Sequence, residues 1–591
     1  MSFHPHDVRR RAFAAALLVT LPLVLLGAAF FRTQVLEHDQ FALRSETNRL
    51  RPIPLPAPRA AIYDRHGRII AESVPGYTVS LIAKNADSLR TTLDRLAESI
   101  ELDERQIEAT MRRYAAMPSR PALVLADARF DLVSVLEELR ADFPGLIIQA
   151  SPRRYYPEGE AVSAFVGYTG EIAERELAQE EYADYKAGQQ IGKDGLERSY
   201  EERLRGREGT RYVEVDARNR IVREQGARTE RPPETPEALM TNIDLNLQKY
   251  AASLFGDSLQ GGIVVMDPHT GGVLALHSAP GYDPNRFIGG VSHAYYDSLN
   301  TDPRKPMYNK ALKGRYEPAS TFKLATAAIG LELGLVDMDT RMPQPCYGSY
   351  VVGGRAFRCW NRAGHGNVTL QQAIAGSCNV YFYQLGLRIG LRRLLAGGVT
   401  LNMTERSGID LFGENRPNFP GSFAYFDEKF GEGRWVASGL TANLSIGQGE
   451  NLQTITSMAR FYSALATDGH AATPTVAQRA PRRERVLNLD DAQLAGLRNA
   501  MLDVVSSRGT AGSAALQGIQ IAGKTGTAQN SQGADHAWFV GFAPAEHPTM
   551  VVAVMVEFGL SGGVAARLAS KVIGYHLQAP TAPIPITDEL E

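Results

Sequence analysis

Glu317-Pro-Ala-Ser320-Thr-Phe-Lys323-Leu-Ala-Thr-Ala-Ala-Ile-Gly-Leu-Glu-Leu-Gly-Leu335 is the stretch on which the reading of the whole chain turns. Ser320 and Lys323 follow Pro318 and lead into Leu324–Leu335, an apolar run that reads as a buried helix. On a helix, positions i and i+3 share a face, so the Lys323 ammonium can reach the Ser320 hydroxyl. A serine is a weak nucleophile and needs an adjacent base. A lysine serves only when burial or a nearby cation lowers its pKa enough to leave it neutral. A helix start also offers free backbone N–H groups where an oxyanion could form. The spacing is common by chance, so its weight comes from what else the chain carries.

Two further motifs follow in order. Ser377-Cys-Asn379 precedes the aromatic run Val380-Tyr-Phe-Tyr383. Ser377 could relay a proton between the base and a leaving amine, and the Asn379 amide could hold a peptide group; taken alone, such a triplet more often caps a helix. Lys524-Thr-Gly526-Thr527 lies on an expected strand. Gly526 would clear the way for a ligand lying along that strand. Lys524 adds a cation that would depress the Lys323 pKa and attract a carboxylate, with Thr525 and Thr527 offering hydroxyls to it.

These motifs sit in an α+β pattern. Gly262–Asp267 and Gly272–His277 form a hairpin across Pro268-His-Thr-Gly271. Gly518–Gln529 and His536–Phe542 make a second strand pair, Met550–Glu557 reads as another strand, and Ala565–Leu577 as a helix. Strands at both ends with helices between them imply one central sheet assembled from both termini and flanked by helices.

At 591 residues the chain is long enough for two or three domains. Its 44% hydrophobic and 22% charged fractions are those of a globular protein. A net charge of −2 gives no basic surplus for nucleic acid. Ala12–Phe31 is free of charge and, at about twenty residues, matches an apolar bilayer core. Arg9, Arg10 and Arg11 before it keep residues 1–11 cytoplasmic and send the rest outward. An uncleaved anchor is favoured over a signal peptide, whose apolar region is shorter and whose cleavage site has small residues.

Beyond the anchor, Arg51-Pro-Ile-Pro-Leu-Pro-Ala-Pro58 reads as a stiff extended spacer. A mixed segment to about Gly226 has helix-like stretches at Asp103–Arg113 and Leu132–Arg140. It also has a hairpin-like run, Thr210–Val222, around Ala217-Arg218-Asn219. With no catalytic spacing in it, it reads as a structural or docking module. Arg228–Glu237 marks the next boundary, and the proline-rich acidic tail 580–591 is expected to be disordered.

Taken together, the three motifs match in order and context the Ser-x-x-Lys, Ser-x-Asn and Lys-Thr-Gly set of penicillin-recognising serine enzymes. The chain resembles class B penicillin-binding proteins of the elongation type over essentially its whole length. Arg59-Ala-Ala-Ile-Tyr-Asp-Arg65, Gly195–Gly206, Gly271–Leu276, Ser445-Ile-Gly-Gln-Gly449 and Lys524–Gln529 add to the match. Phe357-Arg-Cys-Trp360, Gly364-His-Gly366 and the cysteine inside Ser377-Cys-Asn379 point to the elongation type.

The resemblance implies a cytoplasmic tail (1–11), a transmembrane helix (12–31), a linker and elongated non-catalytic pedestal (32–236), a transpeptidase domain (237–579) and the tail. It implies a cell-wall D,D-transpeptidase of the inner membrane, single-pass with its catalytic domain periplasmic. Ser320 would attack the penultimate D-Ala carbonyl of a peptidoglycan stem peptide, with Lys323 as general base and Ser377 protonating the leaving amine. Asn379, Lys524, Thr525, Gly526 and Thr527 would bind substrate, and the N–H groups of Ser320 and Thr527 would form the oxyanion hole. The acyl group then passes to an amine on a neighbouring stem, with no cofactor. β-Lactams would stall at the acyl-enzyme. A RodA-like polytopic glycosyltransferase and the elongation machinery are the implied partners. A β-lactamase would need a deacylating carboxylate motif, which is not evident, and a scaffold without chemistry would survive loss of Ser320. Two positions depart from the pattern: Ala60 and Ala319 stand where the family usually has glycine.

The chain has three cysteines, Cys346, Cys359 and Cys378. In an oxidising compartment Cys346–Cys359 is expected as a disulfide. Unpaired thiols are the second state, and the third is a structural zinc on Cys346, Cys359 and His365 with an unidentified fourth ligand. Cys378 is expected to be packed rather than reactive, and His536 to be a polar loop residue near the cleft.

Overall fold

Apolar strands at the two ends of the catalytic segment meet in one sheet. The order is Val273–Ala279, Gln260–Met266, Met550–Glu557, His536–Ala543, Ala522–Ala528, with every neighbour antiparallel. This computed structural model describes residues 5–36, 50–118, 120–215, 221–223, 231–507, 509–530 and 533–578. Val551–Val556 are buried at every position instead of alternating. Such a strand is covered on both faces, and the helices Gly562–His576 and Ile455–Ala466 both pack against it. The helix Lys323–Glu332 is buried from Lys323 to Leu331. Its uniform apolarity therefore marks a core helix, as the sequence implied.

The proline-rich Arg51–Pro58 run differs from expectation. Leu50–Leu55 is the edge strand of a three-stranded sheet, antiparallel to Gly209–Val215 with Pro52 opposite Tyr212 and Pro54 opposite Thr210. Alternate residues of a strand send their N–H to the same edge. Prolines two apart therefore leave only one edge without donors, and that edge is the outer one here. Gly209–Val215 pairs in turn with Ile221–Arg223 as the expected hairpin; its Ala217-Arg218-Asn219 turn, part of the Arg228–Glu237 boundary and the tail 580–591 lie outside the described residues.

The N-terminal segment has two kinds of core. The strands Ile69–Leu81, Ala122–Leu125 and Leu146–Tyr155 pack with the helices Ala86–Ala97, Glu104–Ala116 and Phe130–Glu138 around Val79, Leu89, Leu93, Leu96 and Leu136. Asp103 caps its helix from both sides of a capping box. In contrast, Ala60, Ile62, Ile70, Tyr156, Phe165 and Leu196 join the core of the catalytic segment, and Ile62–Tyr63 pairs in parallel with Leu239–Met240. The pedestal root is thus continuous with the catalytic body.

A buried charge hub closes that junction. Glu197, wholly buried, takes Arg59 at 2.8 Å and Arg154 at 2.6 Å, while Glu201 takes Arg59 at 2.8 Å and the Gly192 N–H at 2.7 Å. Tyr156 and Tyr185 donate their hydroxyls to Glu197 and Glu201. Burial alone would raise the Glu197 pKa, but Arg154 and Arg59 outweigh it and hold the carboxylate below its usual range. Arg154 also donates to the Ala60 carbonyl at 2.7 Å, so one hub ties three segments distant in sequence.

Ahead of all this stands the helix Pro5–Phe31, which carries Pro22. Arg9–Val35 is long and apolar enough to cross a membrane, and among the described residues its apolar window is not buried.

Candidate active site

The nucleophile turn is built under strain. Ala319–Phe322 form a tight helical turn that runs directly into Lys323–Glu332. Ala319 takes a left-handed φ of +48°, which costs a non-glycine residue about 1–2 kcal/mol. Its N–H donates to the Gly447 carbonyl at 2.9 Å, and a Cβ on Gly447 would lie 2.2 Å from the Ala319 oxygen. The Ser445–Gly449 loop therefore clamps the turn, with Thr326 donating to the Ser445 carbonyl at 2.8 Å. The Ser320 N–H, at the second position of the turn, has no acceptor among the described residues, which leaves it free for an oxyanion.

Lys323 is fully buried, and its Nζ donates to Ser377 O at 2.8 Å, Ser377 Oγ at 3.1 Å and Asn379 Oδ1 at 2.6 Å. The first two motifs are thus joined through one ammonium. Among the described residues no hydrogen bond links it to the Ser320 hydroxyl, although the Lys323 N–H donates to the Ser320 carbonyl. Burial lowers the Lys323 pKa to about 8, against a partial rise from the cysteine sulfurs nearby. Ser377 carries a second left-handed φ, +53°. Asn379 Nδ2 donates to the Arg358 carbonyl at 3.3 Å.

The third motif reaches the same place from the sheet. Lys524 is fully buried, with Nζ 3.2 Å from Thr525 O. Burial, and then repulsion from Lys323, pushes its pKa well down. The lysine–lysine repulsion foreseen in the sequence thus falls on Lys524, whereas burial is what lowers Lys323. Thr525 Oγ1 lies 2.7 Å from Thr510 Oγ1, and Thr527 Oγ1 accepts the Gly562 N–H at 3.2 Å.

Gly526 has a different job from the one expected. A Cβ there would stand 3.0 Å from Pro318 O and 3.2 Å from Thr321 Cγ2, so the missing side chain lets the strand close on the nucleophile turn itself.

Two more groups lie in this region that the sequence does not single out as site residues, although Trp360 belongs to the Phe357–Trp360 motif. Glu317 accepts the Gly449 N–H at 2.9 Å, and burial raises its pKa to about 7. Trp360 donates its indole N–H to Gly376 O and Ser377 O at 3.1 Å each. His536 is not a loop residue: it opens the strand His536–Ala543, accepts the Phe558 N–H at 3.1 Å and meets Tyr316 and Phe558 edge-on.

The expected Cys346–Cys359 disulfide is not formed; all three cysteines are free and buried. The sulfurs face a third donor instead of each other: His365 Nδ1 is 3.6 Å from Cys346 Sγ and 3.5 Å from Cys359 Sγ. Cys378 supplies the fourth donor, and all four atoms lie within 4.8 Å of one another. Tetrahedral zinc with Zn–S of about 2.3 Å and Zn–N of about 2.0 Å sets its S···N separations near 3.5 Å. The His365 distances meet that already, and the wider separations need a contraction of about 1 Å. Hydrogen bonds from Cys378 and then His365 favour the thiolate at Cys359 against its burial, while Cys378, sharing that proton, is pushed up. Thiolate chemistry, burial and donor count all suit zinc. Cys378 was readable as a ligand only once His365 and the two other cysteines were placed beside it.

Comparison with known proteins follows the same two-part division. Residues 261–574 match the penicillin binding protein transpeptidase domain, and residues 54–238 the penicillin-binding protein dimerisation domain. The peptidoglycan D,D-transpeptidase MrdA of Acinetobacter baumannii is 33% identical, over 96% of this chain and 88% of its own length. The penicillin-binding protein PBP2 of Helicobacter pylori, in its complex with MreC, superposes with a TM-score of 0.79 at 28% identity, covering 89% of this chain and 99% of that one. A chain of a peptidoglycan synthase complex that coordinates polymerization and crosslinking gives 0.71 at 29% identity, covering 98% and 100%.

Proposed function

The chain belongs to the penicillin-binding protein transpeptidases, and from that premise we propose that Ser320 is the residue acylated by stem peptides in an elongation-type peptidoglycan D,D-transpeptidase, of the penicillin-binding protein 2 kind. The observation that carries the assignment of roles is the Lys323 ammonium, buried one helical turn from Ser320 and shared between Ser377 and Asn379. Neutral Lys323 takes the Ser320 proton as Oγ attacks the penultimate D-Ala carbonyl. The Ser320 N–H, with that of Thr527 on the adjacent edge strand, holds the oxyanion. Ser377, within 3.1 Å of Nζ, passes the proton to the departing D-Ala amine. Lys524, Thr525 and Thr527 bind the terminal carboxylate, and Asn379 the peptide group. An amine of a second stem then takes the acyl group, forming the cross-link. β-Lactams, which mimic D-Ala-D-Ala, stop at the ester.

Intact mass of the full chain after exposure to a penicillin tests the assignment. One drug equivalent is expected on the wild type and none on Ser320→Ala. Rapid hydrolysis of the drug without an adduct would make the protein a lactamase, and an adduct surviving the substitution would move the nucleophile elsewhere.

The apolar helix, with Arg9, Arg10 and Arg11 near its N-terminal end, supports a single-pass inner-membrane anchor with the N-terminus cytoplasmic and the catalytic domain periplasmic. A relative from Helicobacter pylori is seen with MreC and another in a peptidoglycan synthase complex, which supports elongation-machinery partners here; a polytopic RodA-like glycosyltransferase is the polymerase proposed among them.

The Cys346, Cys359, His365 and Cys378 cluster is proposed to hold one structural zinc. Bound there, the ion would fix the loop in which Cys378 lies between Ser377 and Asn379. Metal analysis of purified protein is expected to find about one zinc per chain, reduced severalfold by Cys346→Ser together with Cys359→Ser, with a lower melting temperature. A wild-type preparation carrying less than one zinc per several chains, with no response to a chelator, would leave the cluster as free thiols.

A further inference from the structure

From Arg341 to Asn379 the chain carries four arginines and no aspartate, glutamate or lysine, although its total charge is −2. Three of them, Arg355, Arg358 and Arg362, are exposed on or beside the hairpin Ser349–Val352/Arg355–Arg358. Among the described residues none of the three forms an ion pair. Trp360, between them, is 58% exposed even though its indole N–H is already satisfied. The carbonyl that satisfies it, Ser377 O, also accepts the Lys323 ammonium at 2.8 Å. The indole is therefore one oxygen atom removed from the proposed base. The hairpin end is fastened to the same place, since Arg358 O takes Asn379 Nδ2 at 3.3 Å and Tyr383 OH at 3.1 Å. A large ring held by its polar edge and left open on its face is a contact platform. Unpaired cations around it concentrate anions.

We propose that this rim is the subsite for an anionic peptide, the amine-bearing stem that attacks the acyl-enzyme. Trp360 covers the peptide, and Arg355, Arg358 and Arg362 pair with its free carboxylates. The inference rests on the transpeptidase reading and says where the second substrate enters. In the step it serves, the amine nitrogen bonds to the acyl carbon and the ester bond to Ser320 Oγ breaks. One amine proton returns to Oγ by way of Lys323, and no other reactant is needed.

The test uses the full chain acylated at Ser320 by a penicillin, so that the donor side is filled. A synthetic stem peptide with a free amine and free carboxylates, and the same peptide with its carboxylates amidated, are titrated by calorimetry. The wild type is expected to bind the free-carboxylate peptide about tenfold more tightly. Arg355→Gln/Arg358→Gln/Arg362→Gln is expected to lose that preference, and Trp360→Ala to weaken both peptides alike. Equal binding of the two peptides, no binding, or a preference kept by the triple variant overturns the rim. So does a triple variant that no longer forms the penicillin adduct, because its arginines would then serve the nucleophile. Failure of the wild type to form the adduct is a different result and sinks the acyl-enzyme reading instead.

Discussion

Replacing Lys323 by methionine is expected to slow acylation of Ser320 by a penicillin about a thousandfold, within the range of a lost general base. Methionine nearly conserves the volume of the side chain, so the buried helix keeps its packing. What disappears is the one nitrogen bound to Ser377 O, Ser377 Oγ and Asn379 Oδ1. The wild-type rate has a pH signature. Because burial sets the Lys323 pKa at about 8 and only the neutral amine accepts a proton, acylation should accelerate as pH climbs through about 8 and level off above it. The variant should lack that rise. A time course of intact mass between pH 6.5 and 9.5 measures both. A variant within tenfold of wild type, or a wild-type rate that falls over this range, would remove Lys323 from the base's role. A melting temperature close to wild type is the check that the fold is unchanged.

Glu197→Ala should cost about 3–5 kcal/mol of stability, because it strands the buried Arg154 without its counter-charge and leaves Arg59 with Glu201 alone. Arg59 and Arg154 both lose their pairing with it, at 2.8 and 2.6 Å, and Tyr156 loses an acceptor. The melting temperature should fall by about 3 °C. The sign with pH is fixed by the direction of the Glu197 shift. A carboxylate held below its unfolded pKa stabilises fully above that unfolded value, and the contribution drains away as pH falls through the folded one. The gap between wild type and variant should therefore be widest near neutrality and shrink in acid. A fall of less than about 2 °C at neutral pH would mean that the hub is replaceable by packing alone, as buried ion pairs sometimes are.

The sequence by itself determined the elements whose signals are local. The hairpin around Pro268–Gly271, the buried helix after Lys323, the helix opening at Asp103 and the apolar N-terminal helix all follow from periodicity and length, which neighbouring residues enforce. The motif residues are legible by type and order alone; of these, Lys323, Ser377 and Asn379 share one ammonium, and Lys524 lies near enough to Lys323 to be repelled by it. Tertiary structure alone decided what depends on contacts between distant segments. Proline spacing at 52 and 54 is the same for a free extended chain and for an edge strand, and only the partner Gly209–Val215 distinguishes them. Gly526 looks like room for a ligand until Pro318 is seen to fill it. Glu197 and Glu201 lie in the Gly195–Gly206 stretch that carries only family likeness, yet Arg59 and Arg154 make them the buried tie between pedestal and catalytic body. Cys378, 19 residues beyond Cys359, joins the cluster proposed to hold zinc only because the chain brings its sulfur to His365. Side-chain type and local spacing are written in the chain. Which distant atoms approach within bonding distance is set by how the cores pack, and that packing is what brings Glu317 to Gly449, Trp360 to Ser377 and Cys378 to His365.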